Sequence, residues 1–462
     1  VLQQIPLLPA EYVEPYADNT VIEPLISEEE VLEGSAIVSE VKNEALGTVE
    51  WTLKNGTRIV VKPTTFKADE LLFSARADGG AALIADNTES AIATTFLPSL
   101  RGLMGLGKFS STELRKQLSG KMVSVSPYVS HLEHGLQGNS SPKDLETLMQ
   151  LIYLNFTAPR FDAEVFQTFY NQYKDYLVNM NSNPDYLFQK SLVATVYGDD
   201  ERAQPISAEL LDKMNFDRLD EINAQLYPDA NEFLFTFVGN VDLETLRPLV
   251  EKYIGSIPTT EQVVAYVDDN RRVVKGEVTN DFKVVMQQPK VSLYVALSGD
   301  LEYTLKNRLT MRLLSSALSN RYLETIREKM GATYSIGAHG SINFLPTQEY
   351  MVQVMCDTNE RQADHVAATI LAEIARIYLN GPLTEDIEKS REFMLKNYHG
   401  QLENNGNWLG IIDEYYSTGL DLFNGYEETL RSITCEDVKA LAGRLLEDQN
   451  LVKVIMRPEK AE

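Results

Sequence analysis

The sequence has 462 residues, of which 44% are apolar and 24% charged, as in an ordinary globular protein. Its 67 acidic and 42 basic residues give a net charge of −25, which repels nucleic acids and anionic membranes and attracts basic peptides. Two cysteines, Cys356 and Cys435, exclude a disulfide framework and a multi-thiolate metal site, and no stretch is long and apolar enough to span a bilayer.

Residues 1–46 are rich in acidic residues and proline, which predicts an extended connector rather than a domain. Because the chain starts at Val1 instead of methionine, we expect it to be excised from a longer polypeptide. The next segment predicts a β-hairpin. Strand-like residues 50–54 and 58–61 flank Asn55-Gly56, a pair that tolerates positive φ.

A pattern of two helices, and later a helix, a turn and a strand, occurs twice along the chain. Asp162 and Thr384, which are predicted to cap the second helix of each copy, lie 222 residues apart. Asn231 and Asn450, in the turns before the strands, lie 219 residues apart. Two nearly equal offsets indicate a duplicated unit. The helices before the caps are predicted at residues 144–154 and 363–379, and the strands at residues 233–238 and 451–456.

We therefore predict two homologous domains, at residues 47–268 and 269–462. In each, runs of strands and runs of helices follow one another without regular alternation, a pattern typical of α+β domains. The predicted fold class is α+β, with each domain a mostly antiparallel sheet backed by helices.

The segment His131-Leu132-Glu133-His134 has residue types found in zinc sites, but not their spacing. Zinc-binding helices place two histidines four residues apart, whereas His131 and His134 are three apart among residues that favour a strand. On a strand they point to opposite faces. We expect solvent-facing strand residues here, with a metal site as the alternative. The sequence has no Gly-rich phosphate loop and no G-x-S-x-G nucleophile motif.

Residues 314–330 carry an apolar stripe at every fourth position, which predicts a core-facing helix ended by Gly331. Residues 332–338 then alternate like a strand. This places Arg327 at a helix end and Tyr334 on the following strand, where a guanidinium and a phenol could bind a peptide carbonyl or an oxyanion. In the alternative interpretation Arg327 pairs with Glu324 and Tyr334 packs in a sheet.

The same stretch, with Arg321-Tyr322-Leu323, Arg327-Glu328 and residues 331–335 (Gly-Ala-Thr-Tyr-Ser), resembles the signature of the pitrilysin/insulinase family of zinc metallopeptidases. The resemblance spans residues 47–462. It implies a clam-shell of two homologous halves, each a pair of α+β domains, around a chamber for unfolded peptides. It also implies that Arg327 and Tyr334 bind substrate near the zinc of the other half.

The sequence departs from the family at the metal site. The catalytic half of the family carries H-x-x-E-H on the first long helix of its first domain. By this resemblance Thr95 and Ser99 replace the two histidines, Pro98 replaces the catalytic glutamate, and Tyr176 (or Asp175, if the register slips by one) replaces the third ligand. Hydroxyl groups are poor zinc ligands, and proline can neither accept a proton nor continue an unbroken helix. We expect no metal in this chain and no activity alone.

The resemblance therefore predicts the C-terminal, non-catalytic half of a tandem bacterial member of the family. This half would close the chamber over unfolded, basic peptides and supply Arg327 and Tyr334 to the N-terminal half. The N-terminal half would hold the zinc. By the same resemblance the protein is expected to be soluble and periplasmic. Two alternatives remain: a structural or peptide-binding subunit without a role in hydrolysis, and an independent hydrolase that uses His131, Glu133 and His134.

Overall fold

The computed structural model describes residues 23–84, 87–198, 200–260 and 266–459. Seven strands form the first sheet, in the order β1-β2-β3-β7-β4-β6-β5. All neighbours are antiparallel except the pair β3 and β7. These strands are β1 (Ile37–Asn43), β2 (Thr48–Leu53), β3 (Arg58–Pro63), β4 (Leu71–Asp78), β5 (Val123–Val129), β6 (Glu133–Ser140) and β7 (Leu234–Gly239).

Five strands form the second sheet, in the order β10-β11-β9-β12-β8. Here β12 and β8 are parallel and the other neighbours antiparallel. The α+β class with mostly antiparallel sheets is thus confirmed. The strands are β8 (Glu277–Val285), β9 (Val291–Asp300), β10 (Ala338–Asn343), β11 (Glu349–Thr358) and β12 (Leu451–Glu459).

Helices cover both sheets and supply much of the two main hydrophobic cores. Those of the first half are α1 (Thr88–Met104), α2 (Ser111–Gln117), α3 (Leu145–Thr157), α4 (Ala163–Met180), α5 (Pro184–Tyr197), α6 (Ala208–Leu211), α7 (Phe216–Leu226) and α8 (Leu243–Tyr253). Those of the second half are α9 (Leu305–Tyr322), α10 (Ala363–Asn380), α11 (Thr384–Gln401), α12 (Asn405–Thr418), α13 (Tyr426–Ser432) and α14 (Cys435–Glu447).

The elements repeat along the chain as the sequence predicts. Helix α4 begins at Ala163 and α11 at Thr384, 221 residues later, and the same offset separates the start of α5 from that of α12. Asp162 caps α4 by accepting hydrogen bonds from Glu164 N and Val165 N. Thr384 is the first residue of α11 rather than its cap, because Leu383 precedes it in extended conformation. The predicted hairpin is present, with Gly56 at φ +93° in its turn.

One helix from each half packs on the sheet of the other half. Helix α12 lies against β4 and β7 of the first sheet, where Trp408 and Ile412 are buried. Helix α5 lies against β8 and β12 of the second sheet, where Phe188 and Val196 are buried. The two halves are therefore joined by packed apolar surface as well as by the chain.

The last part of the predicted connector is ordered against the first sheet. Ile26 is buried, and the Tyr153 hydroxyl donates to Glu30 at 2.7 Å. Strand β1, at the edge of the first sheet, lies wholly within the predicted connector, residues 1–46. Residues 1–22 lie outside the described residues. The division at residues 46 and 268 stays a prediction.

Across residues 23–84, 87–198, 200–260 and 266–459, no helix combines the length and the apolar character that crossing a membrane requires.

Candidate functional site

Helix α1 carries the residues that the sequence predicts at the positions of the zinc motif. Thr95 and Ser99 are exposed on it, and Pro98 lies within the helix. The Thr95 hydroxyl donates to the Ala91 carbonyl oxygen at 2.9 Å, so its proton is used inside the helix. What α1 presents at these positions is a weakly polar surface.

Helix α4 packs on α1 through aromatic rings and carries Tyr176. The Phe96 ring lies 5.3 Å from Phe169 and 4.9 Å from Tyr173, both in edge-on contact. Tyr176 is 52% exposed, and its ring lies 5.6 Å from that of Tyr173. The structure thus places the residues predicted from the family motif on two helices that touch each other.

These residues do not fit zinc. Catalytic zinc takes three histidine, cysteine or carboxylate ligands plus a water, whereas Thr95, Ser99 and Tyr176 offer neutral hydroxyl groups. In the part of the chain that the structure describes, no three His, Cys, Asp or Glu side chains cluster closely enough to hold a metal ion. No metal-dependent step is assigned to this chain.

The histidine segment differs from the expectation of solvent-facing residues. His134 is fully buried on β6, where its Nδ1 accepts a hydrogen bond from Gly80 N at 3.2 Å, and burial lowers its pKa to about 4. Glu133 pairs with Arg76 at 2.7 Å. His131 lies in the turn before β6, and its Nε2 is 3.0 Å from Asp269. The three side chains therefore have separate partners, which does not favour an independent hydrolase.

Arg327 and Tyr334 lie at the end of the long helix of the second half. Helix α9 ends at Tyr322 and continues as a π-helical turn, Leu323–Lys329, so Arg327 is at a helix end as predicted. Arg327 pairs with the adjacent Glu328 at 3.2 Å. The alternative pairing with Glu324 is wrong, because that carboxylate binds Arg321 and Lys329.

The predicted strand at residues 332–338 is wrong. Gly331 adopts φ +58°, an irregular loop follows, and strand β10 begins only at Ala338. Tyr334 lies in this loop, and its surface is 95% exposed. The alternative in which it packs in a sheet is therefore also wrong. Both side chains are available to a ligand or to another protein surface.

A cleft of about 650 Å³ lies between the two sheets. The sequence analysis did not predict it. Its walls come from the β5–β6 turn, the segment that links the halves, the β10–β11 turn and helix α12. Asp413, on α12, lines the cleft and accepts a hydrogen bond from Thr236 at 3.2 Å. Burial raises its pKa to about 6.

Arg271 and Arg272 also line this cleft. They form the one Arg-Arg pair in the sequence and lie close to the predicted boundary at residue 268. Such a pair in a chain with a net charge of −25 was a signal that could have identified the cleft.

The comparisons with known proteins agree with the fold. The family profile described as "Peptidase M16 inactive domain" matches residues 213–394. The chain is similar to a protein of Arabidopsis thaliana named "Zinc protease PQQL-like", with 22% identity over 427 residues, which cover 88% of this chain and 41% of the relative.

Two solved structures share the fold. The periplasmic protease PqqL from Escherichia coli superposes with a TM-score of 0.83 at 17% identity, over 97% of this chain and 49% of that chain. A peptidase M16 inactive domain from Pseudomonas fluorescens superposes with a TM-score of 0.72 at 14% identity, over 90% of this chain and 99% of that chain.

The fold of this chain is the one seen in structures of M16-type peptidases. Residues 213–394 match the profile of the M16 inactive domain, and the resemblance to the pitrilysin family predicted from the sequence is confirmed. The chain spans less than half the length of the plant zinc protease and of the crystallised PqqL chain.

Proposed function

We propose that this chain is the non-catalytic, C-terminal half of a zinc-dependent endopeptidase that acts on unfolded peptides, and that a separate half holds the zinc. One observation carries the proposal. In an M16-type fold, the helix predicted to hold the metal motif offers only hydroxyl groups and a proline, whereas Arg327 and Tyr334 are exposed beyond the end of α9.

Arg327 and Tyr334 would act on the substrate. A guanidinium and a phenol hydroxyl are both hydrogen-bond donors, and donors placed at a peptide carbonyl stabilise the negative charge that forms on its oxygen during hydrolysis. The zinc-bearing half would supply the polarised water. A phenol that is 95% exposed makes few contacts within its own chain, which suits a residue that meets a partner or a peptide.

The net charge of −25 supports unfolded, basic peptides as substrates, because an acidic chamber attracts cations. The likeness to periplasmic PqqL supports a periplasmic location. The length of the relatives, about twice that of this chain, supports a second half that carries the metal.

The test is an Arg327→Ala variant in the two-half assembly. Removal of one donor to a developing oxyanion lowers turnover about 10²-fold, and an exposed side chain contributes little to stability, so the melting temperature should not change. Turnover of a fluorogenic unstructured peptide and the melting temperature are the two measurements. Tyr334→Phe should also lower turnover while the fold stays intact.

Lys329→Ala is the matched control, since Lys329 is an exposed cation two residues away that binds Glu324 within the same turn. It should leave turnover unchanged. Unchanged turnover in Arg327→Ala would contradict the role of Arg327 in hydrolysis. If the chain still bound the zinc-bearing half in that case, a structural or peptide-binding subunit would be the better description.

A further inference from the structure

A pocket of about 190 Å³ lies beside the degenerate metal motif on α1. Thr94 and Thr95 form one wall, the β5–β6 turn forms a second, and Arg202, Asp269 and Arg271 form a third. The pocket shares Ser130, His131 and Arg271 with the cleft between the two sheets. It is therefore a small side chamber of that cleft, on the exposed side of α1.

Two charged residues of this pocket, Arg202 and Asp269, form close ion pairs, whereas Arg271 does not. Arg202 binds Asp200 at 2.7 Å and Asp269 at 3.2 Å. Asp269 also accepts from the His131 ring and from the backbone N–H of Arg271, at 3.0 and 3.1 Å. Burial opposes the charge of Asp269, but these partners hold its pKa below the usual range.

Arg271 has no such partner. Its Nη2 donates to the Arg202 carbonyl oxygen at 2.7 Å, and its Nε is buried without a hydrogen bond. Among the described residues no carboxylate lies within 4.0 Å of its guanidinium, whereas the adjacent Arg272 binds Asp268 at 2.9 Å. The buried Nε is closed to a ligand, but the Arg271 side chain lines both the pocket and the cleft, where a carboxylate would form charge-assisted hydrogen bonds with its guanidinium.

The carboxylates that line the neighbouring cleft cannot fill this role, because they are engaged elsewhere. Glu133 binds Arg76 at 2.7 Å, Glu349 binds Lys275 at 3.0 Å, and Glu414 binds Arg308 at 2.9 Å. The fourth carboxylate of the cleft, Asp413, accepts a hydrogen bond from Thr236. The cleft therefore supplies no carboxylate to pair with Arg271, and a ligand can supply one.

The dimensions point to the end of a chain. A cavity of about 150 Å³ holds a molecule of the size of benzene, so a volume of about 190 Å³ is enough for one terminal residue. The cleft of 650 Å³ that shares its wall has room for the residues before it. The Thr95 hydroxyl, whose proton is bound to Ala91, offers acceptor lone pairs on the opposite side.

We infer that this pocket binds the C-terminal carboxylate of a peptide, with Arg271 as the residue that recognises it. The inference rests on the proposed function, in that the cleft holds peptides. It assigns to this half a contact with substrate that is independent of zinc and of Arg327.

Direct binding to the chain tests the inference without any need for hydrolysis. The probe is an uncharged twelve-residue peptide of Gly, Ala, Ser and Leu with fluorescein at its N terminus, measured by fluorescence anisotropy. We expect the peptide with a free C-terminal carboxylate to bind about tenfold or more tightly than its C-terminal amide. An amidated peptide with one internal glutamate should bind like the plain amide.

Arg271→Gln should remove the preference for the free carboxylate, and Arg271→Lys should keep most of it. Lys213→Gln, at an exposed cation that lines neither the pocket nor the cleft, should leave it unchanged. The melting temperature of each variant shows that it is folded. Equal affinity of the native chain for both peptides would overturn the inference, and so would an equal loss in Arg271→Gln and Lys213→Gln. Tight binding of the internal-glutamate peptide would overturn the assignment to a chain end.

These outcomes are separate from those of the proposed function. If the two-half assembly failed to cleave peptides but the carboxylate preference and its dependence on Arg271 were found, the proposed function would fail and the binding site would stand.

Discussion

At the scale of single residues, Asp413 is a buried acid whose ionisation affects the stability of the fold. It lies on α12, faces the cleft, and is bonded to Thr236 on the first sheet. Because burial raises its pKa from 3.8 to about 6, the folded protein favours the protonated form. The stability that Asp413 contributes is therefore fully present below its unfolded pKa and is lost as the pH rises through about 6.

Asp413→Asn removes this dependence. Between pH 4 and pH 8 the native chain should lose about 2 kcal/mol more of its unfolding free energy than the variant does. Urea unfolding at a series of pH values measures the difference. Parallel pH profiles for the two proteins would show that Asp413 is ionised in the folded state without cost.

The sequence predicts the structural position of some site residues correctly and that of others wrongly, and the difference has a physical reason. Arg327 was placed at a helix end because the apolar stripe and Gly331 define that end locally. The burial of His134 was not predictable, since alternation along a strand cannot tell which face a distant element covers. Here Tyr227 and Phe233, nearly 100 residues later, pack edge-on against its ring.

At the scale of elements, α1 contains Pro98 at the position predicted for the catalytic glutamate. Its replacement tests whether this position contributes to activity. Proline inside a helix removes one backbone hydrogen bond and crowds the preceding turn, at a cost of about 3 kcal/mol in an unadapted helix. Pro98→Ala should therefore raise the unfolding free energy by about 1–3 kcal/mol and leave the activity of the assembly unchanged.

Ser99→Ala is the control, because Ser99 is exposed on the same helix, and its effect should stay within about 0.5 kcal/mol. Differential scanning calorimetry provides both values. A destabilised Pro98→Ala variant would show that the packing of α1 depends on a bend at the proline.

The helical repeats were predictable because each one carries its own periodicity and end signals. The segment after α9 was not, because alternation at residues 332–338 imitates a strand while no neighbouring strand pairs with it before Ala338. Pairing is a tertiary property, and local pattern alone does not determine it.

At the scale of the whole molecule, the exchange of α5 and α12 between the two sheets is the main feature that the sequence did not indicate. Trp408 on α12 packs against the first sheet, its Nε1 donates to the Leu402 carbonyl oxygen at 2.8 Å, and Lys62 of β3 lies 3.6 Å from its ring centre. Contacts between residues far apart in the sequence, 346 positions for Lys62 and Trp408, leave no local pattern, so the duplication could be predicted and the exchange could not.

This packing predicts that both halves of the chain unfold together. Trp408→Ala should lower the unfolding free energy by about 3–5 kcal/mol, and far-UV circular dichroism and tryptophan fluorescence of Trp51 should report one common transition in urea. Phe393→Ala, at an exposed aromatic on α11, is the control and should change little. Two separate transitions in the native chain would contradict a shared core.

The central claim is that this chain completes a peptidase whose zinc lies elsewhere. The most direct measurement is the cleavage of a fluorogenic unstructured peptide by this chain, by a purified zinc-bearing half from the same organism, and by the two mixed. We predict no cleavage by this chain alone, strong cleavage by the mixture, and loss of that cleavage when a chelator removes the zinc. Cleavage by this chain alone, or equal rates for the zinc-bearing half with and without it, would contradict the claim.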